Sequence, residues 1–206
     1  MTAGIFAHWP NRITALRFLG AAALFVVLAL YCDVAPEAVD ARSGSFKAAF
    51  WLFIATAVSD VLDGYLARRG NHVTAFGRIA DPFVDKVLVM GAMVFLAVQP
   101  WSRHFFPAWI VVAILAREFL VTAIRGYVEK LGVEFPADWF GKAKMFLQCW
   151  AVGIVLGLAA FQFSAAAEKR WALVGELCVL ATLLATIGSG LSYVLKTRRI
   201  LAQRDA

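Results

Sequence analysis

From Ile13 to Cys32 the chain runs with Arg17 as its only formal charge. An α-helix needs about 20 mostly apolar residues to cross the hydrocarbon core of a bilayer. In lipid the backbone must satisfy its own hydrogen bonds, which leaves helices and closed barrels as spanning structures. Five further runs follow with short connections: Ala48 to Arg68, Arg78 to Val98, Phe105 to Leu131, Trp139 to Phe161 and Trp171 to Lys196. They are far longer than barrel strands, so the sequence predicts an all-α integral membrane bundle of six transmembrane helices. Of the 206 residues 62% are hydrophobic and only 17% charged, outside the range of an ordinary soluble domain. Residues 1–206 read as a single membrane domain with no soluble appendage. The first run is long enough to span and lacks a cleavage site, so a cleavable signal is not expected. Before it, "IFAHWP" reads as a possible short interfacial helix.

An even number of spans puts both termini on one side, and the Lys/Arg distribution sets that side. Arg12, Arg17, Arg68, Arg69, Arg78, Lys130, Lys142, Lys144, Lys196, Arg198, Arg199 and Arg204 fall at one set of helix ends; Arg42, Lys47, Arg103, Lys169 and Arg170 fall at the other. Both termini are therefore expected in the cytoplasm, in a multi-pass protein of a bacterial inner membrane. Trp9, Trp101, Trp139 and Trp171 sit near the predicted ends, where aromatic side chains anchor helices at head-group level. The formal charge of +6 suits a protein facing anionic lipid and anionic substrates, and no nucleic-acid partner is expected. Cys32, Cys149 and Cys178 have no metal-site or disulfide spacing and read as small core residues. His8, His72 and His104 have no partner at useful spacing.

The apolar pattern breaks at "SDVLDGYLARRGNHVTAFGRIADPFVDK", Ser59 to Lys86. Asp60 and Asp63 are three apart, with Gly64 and Ala67 continuing the same helical face; Gly77, Asp81 and Asp85 are spaced by four and form one stripe on the next helix. A hairpin turned near Gly70 would bring four carboxylates together at the cytoplasmic end. Crowded carboxylates at low dielectric lose hydration and repel, which costs several kcal/mol per unpaired ion. Arg68, Arg78 and Lys86 are at hand for a salt-bridge network. An acid-only donor set without His or Cys is also what a hard cation such as Mg²⁺ prefers, and the spacing favours metal over a row of ion pairs. Pro82 fits a well-made helix start, where its missing N–H has no intrahelical partner to lose. A carboxylate-bound metal ringed by Arg and Lys points to phosphate chemistry. Asp85, deepest along its helix, is placed to take a proton as general base.

Asp60-x-x-Asp63-Gly64-x-x-Ala67-Arg68, eight residues, then Gly77-x-x-x-Asp81-x-x-x-Asp85 resembles the signature of the CDP-alcohol phosphotransferase family at every defined position. The resemblance implies a six-helix membrane bundle, a homodimer, and transfer of a phosphoalcohol from a CDP-linked donor with release of CMP. It implies Mg²⁺ or Mn²⁺ held by Asp60, Asp63 and Asp81, with Asp85 as base and further ligand. Gly64, Ala67 and Gly77 would line the cytidine pocket, and Arg68 would lie near the nucleotide phosphates.

The acceptor has to be sought elsewhere. Arg117, Glu118 and Arg125 interrupt the fourth run, and charges at that depth usually face the bundle interior. Glu118 and Arg125, seven apart on one face, are open to an internal ion pair that only locks helices. Lys142 and Lys144 point in nearly opposite directions, so that one faces the site and the other snorkels to the head groups. With Arg117 and Arg125 they would form a cationic wall suited to an acceptor that carries its own phosphate. "PNRITALR", "AREFLVTAIRGYVEKLG" and "WFGKAKMFLQ" resemble segments of the bacterial phosphatidylglycerophosphate synthase branch of the family. That implies CDP-diacylglycerol as donor and sn-glycerol 3-phosphate as acceptor, with inositol phosphate as the alternative within the family. A cation or proton transporter and a non-catalytic scaffold are the readings outside it. Asn11, Thr14 and Arg17 either cap the first span and meet lipid phosphates or help to hold donor phosphates. Gly153-x-x-x-Gly157 reads as close packing within the bundle rather than as a dimer seam.

Overall fold

The computed structural model describes the backbone of residues 9–70, 75–130 and 139–204, and the side chains of 11–59, 83–130, 143–198 and 202. Among the described residues six α-helices follow in order: α1 (Trp9–Tyr31), α2 (Ser43–Gly70), α3 (Ala75–Val98), α4 (Ala108–Lys130), α5 (Trp139–Ala160) and α6 (Ala165–Arg204). Two single-turn 3₁₀ helices, Pro36–Ala38 and Asp40–Arg42, connect α1 to α2, and the described residues contain no strand. Each expected apolar run is thus one helix. Among the described residues three stretches, Asn11–Tyr31, Ala143–Ala160 and Ala165–Arg198, are long and apolar enough to cross a membrane. The 40 residues of α6 make a rod of about 60 Å at 1.5 Å per residue, about twice the hydrocarbon thickness.

The helix ends differ from the sequence expectation in a way that touches the site. Because α3 begins at Ala75, Pro82 lies well inside it and not in its first turn. Its missing N–H deprives the Arg78 carbonyl of a helical donor beside the aspartate stripe. Trp9 and Pro10 already belong to α1, and the rest of "IFAHWP" lies outside the described residues.

Helix neighbours follow a closed circuit from α1 to α2, α5, α6, α4, α3 and back to α1. Leu24, Leu28, Phe53, Met93, Leu96, Ile114 and Leu156 fill its interior. Outward faces are apolar as well, with Leu16, Trp51, Phe119 and Leu184 among the exposed side chains, as a lipid-covered surface requires. Small residues set the close crossings. A Cβ on Gly91 of α3 would enter the ring of Phe25 on α1, which stacks on Phe95. Gly153 and Gly157 of α5 face Phe53, Ile54 and Phe50 of α2, so this glycine pair packs within the bundle, as expected.

The connection from α3 to α4 closes the end of α1. Gln99 Nε2 donates to the Leu28 carbonyl at 2.8 Å, and Trp101 Nε1 donates to the Cys32 carbonyl at 2.9 Å. Both are carbonyls that the helix terminus leaves without an intrahelical donor. Trp101 is therefore a buried cap and not a head-group anchor; Trp171 is exposed on α6, and the side chains of Trp9 and Trp139 lie outside the described residues.

Candidate active site

Asp60, Asp63, Gly64, Ala67 and Arg68 lie in the last part of α2, and Gly77, Asp81 and Asp85 in the first half of α3. Both stretches are helical without a break, so the spacings place each set along one helix face. The two helices are in contact. The side chains of residues 60–82 and of Lys142 lie outside the described residues. Among the described residues no group of His, Cys, Asp and Glu side chains forms a metal cluster.

Asp85 is described, and it forms an ion pair with Arg17 of α1; its side chain is 19% exposed and that of Arg17 only 3%. Asn11, Thr14 and Arg17 share one face of α1 through their spacing of three, and all three are buried. They turn into the protein, which corrects the reading in which they meet lipid phosphates at the membrane surface. A partly buried carboxylate that draws a guanidinium from a neighbouring helix is a place that needs positive charge. With only carboxylates as candidate ligands at these spacings on the two helices, the donor set fits a hard divalent cation.

A second polar cluster joins α3, α4, α5 and α6. Arg117 Nη1 donates to Glu118 Oε1 at 2.6 Å, and Arg117 Nη2 donates to Ser189 Oγ of α6 at 2.9 Å. Lys144 of α5, buried, donates from Nζ to the same Glu118 oxygen. Lys86, the residue after Asp85, lies 3.7 Å from Glu118 Oε2 and donates to Thr122 Oγ1 at 2.8 Å. Glu118 and Arg125 do not pair. Seven residues separate them by about 10 Å along α4, and Arg125 Nη2 instead donates to the Tyr193 hydroxyl at 2.9 Å. Of the two expected lysines, Lys144 is an inward one.

Sequence reasoning missed the contribution of α6, which reads as little beyond hydrophobicity. The signal was present: Thr182, Thr186, Ser189 and Tyr193 recur at steps of four, three and four, and all are buried. Glu118 as a hub and Lys86 as its third cation were also missed, because their partners come from other helices. Gln148 is fully buried one turn beyond Lys144, and neither end of its amide has a hydrogen-bond partner among the described residues. Cys32, Cys149 and Cys178 form no disulfide, and Cys32 is buried as expected.

The chain belongs to the CDP-alcohol phosphatidyltransferase family, whose model matches residues 7–188, from the start of α1 through most of α6. The CDP-diacylglycerol–glycerol-3-phosphate 3-phosphatidyltransferase of Bacillus subtilis is 34% identical over 153 residues, covering 71% of this chain and 75% of the relative. The enzyme of that name from Rickettsia bellii is 36% identical over 69% of this chain and 74% of its own length. A probable phosphatidylglycerophosphate synthase of Mycobacterium tuberculosis is 36% identical over 72% of this chain and 66% of its own length.

Proposed function

We propose that the protein transfers a phosphatidyl group from CDP-diacylglycerol to sn-glycerol 3-phosphate, giving phosphatidylglycerophosphate and CMP. One observation supports this reading most strongly. Asp85 and Lys86 are neighbours on α3, yet one meets Arg17 and the other approaches the Glu118 cluster. The aspartate stripe and the buried cations therefore adjoin, as a donor site and an acceptor site must. The names of the relatives supply the two substrates.

In this reading Asp60, Asp63, Asp81 and Asp85 hold Mg²⁺ or Mn²⁺, which when bound offsets the charge of the donor pyrophosphate. Gly64, Ala67 and Gly77 let the cytidine approach the backbone, and Arg68 lies by the nucleotide phosphates. Arg117, Arg125, Lys142 and Lys144 hold the phosphate of the acceptor. Asp85 takes the proton of the acceptor hydroxyl as its oxygen bonds to the lipid-side phosphorus and the bond to the CMP oxygen breaks. The six helices all span the membrane, with both termini and the site on the cytoplasmic side of a cell inner membrane, and the working form is a homodimer. Arg17 and Lys144 are buried and count less toward orientation than expected, but the exposed Arg12, Lys130, Lys196 and Arg198 keep the same bias.

The test is CMP release by purified protein given CDP-diacylglycerol and Mg²⁺ or Mn²⁺, with glycerol 3-phosphate, inositol phosphate, serine and glycerol offered separately. Release is expected with glycerol 3-phosphate. Release with inositol phosphate alone would overturn the acceptor, and release with none of the four would overturn the activity.

A further inference from the structure

Glu118 brings together cations from three helices. Its Oε1 accepts hydrogen bonds from Arg117 on its own helix and from Lys144 on α5, and Lys86 of α3 lies 3.7 Å from Oε2. Three cations against one carboxylate leave a formal charge of +2 (3 − 1), the complement of a phosphomonoester dianion. Lys144 and Arg117 are both largely buried, with side-chain exposures of 3% and 10%. Two such cations repel strongly in a medium of low dielectric, and long side chains relieve that repulsion by turning to the head groups.

We propose that Glu118 is the positioning residue of the acceptor site: its carboxylate fixes Arg117 and Lys144 as a preformed receptor for a phosphate monoester. The proposal rests on the transferase reading for the identity of that monoester. Arg117 is fixed at both ends of its fork, Nη1 on Glu118 and Nη2 on Ser189, and its Cγ lies against Gly190, where a Cβ would come within 3.3 Å. One of the three Lys144 donors is held by Glu118. Glu118 does not touch the reacting atoms; it acts through the two cations.

Two effects of this carboxylate have opposite signs, which makes the proposal decidable. As a bare negative charge beside an anion site it weakens phosphate binding, so its removal tightens binding. As the group that holds the cations in place it strengthens binding, so its removal loosens it.

The experiment compares the wild-type protein with Glu118→Gln and Glu118→Asp in the presence of Mg²⁺, by CMP release and by calorimetric titration with inorganic phosphate in the absence of donor. Glu118→Gln is expected to raise the acceptor KM and the phosphate Kd by about ten-fold or more, with kcat and donor KM within about two-fold of wild type. Glu118→Asp keeps the charge with a shorter reach and should fall between. In a Lys144→Gln background the effect of Glu118→Gln should shrink to less than half, as coupling through Lys144 requires. A lower or unchanged acceptor KM and phosphate Kd overturns the proposal, and so does an equal fall in all kinetic parameters. Should Glu118→Gln fail to fold, Glu118→Asp alone decides between the acceptor-selective rise and the uniform loss. A wild-type protein that releases no CMP but binds phosphate in a Glu118-dependent way would sink the transferase reading and leave the role of Glu118 standing.

Discussion

Asp85 shows how much of a site one residue carries and how little of that is written in its own neighbourhood. Its spacing from Asp81 and Gly77 is legible in the sequence, because a helix converts steps of four into a single face. Its partner Arg17 is not, since that contact joins helices far apart in the chain. The same holds for Glu118, whose seven-residue spacing suggested Arg125 while Lys144 lay nearer in space. As the proposed base, Asp85 has a testable consequence. Asp85→Asn should lower turnover by about 100-fold or more, the usual range for a lost general base, and leave CDP-diacylglycerol binding, read by calorimetry, within a few-fold of wild type. Undiminished turnover would remove the assignment. Lys144→Ala should raise the KM for the acceptor more than that for the donor in the same assay.

At the scale of helices, existence was legible and termination was not. Long apolar runs announce α1 to α6, but a lipid-facing helix is apolar on both faces, so hydropathy does not say where packing lets it end. Hence Pro82 falls inside α3, and α6 runs from Ala165 to Arg204 where the run alone suggests Trp171 to Lys196. Crossings depend on single small residues. Gly91→Ala drives a methyl group into Phe25, which is already stacked on Phe95. Overpacking of this kind costs about 1–3 kcal/mol, to be seen as a lower apparent Tm of the purified protein. Gly44→Ala meets nothing within 4 Å on the exposed start of α2 and serves as the control. It should stay within about 0.5 kcal/mol of wild type; equal losses in both variants would contradict the packing account.

For the whole molecule, all-helical architecture follows from composition, whereas the circuit that seats α5 beside α2 and α6 beside α4 does not. That circuit matters because it places Lys144 of α5 and Ser189 of α6 against Arg117 and Glu118 of α4, within reach of the helix that carries Asp85. The family pattern could be read from the aspartates alone; the arrangement of cations around Glu118 needed the fold. Everything proposed for the reaction depends on α2 and α3 presenting their carboxylates to a common divalent cation. Mn²⁺ binding followed by electron paramagnetic resonance on the purified protein tests this most directly, with wild type compared with Asp60→Asn and Asp81→Asn. The account predicts saturable Mn²⁺ binding in the wild type, weakened about ten-fold or more by either substitution; wild-type binding in both variants would contradict it.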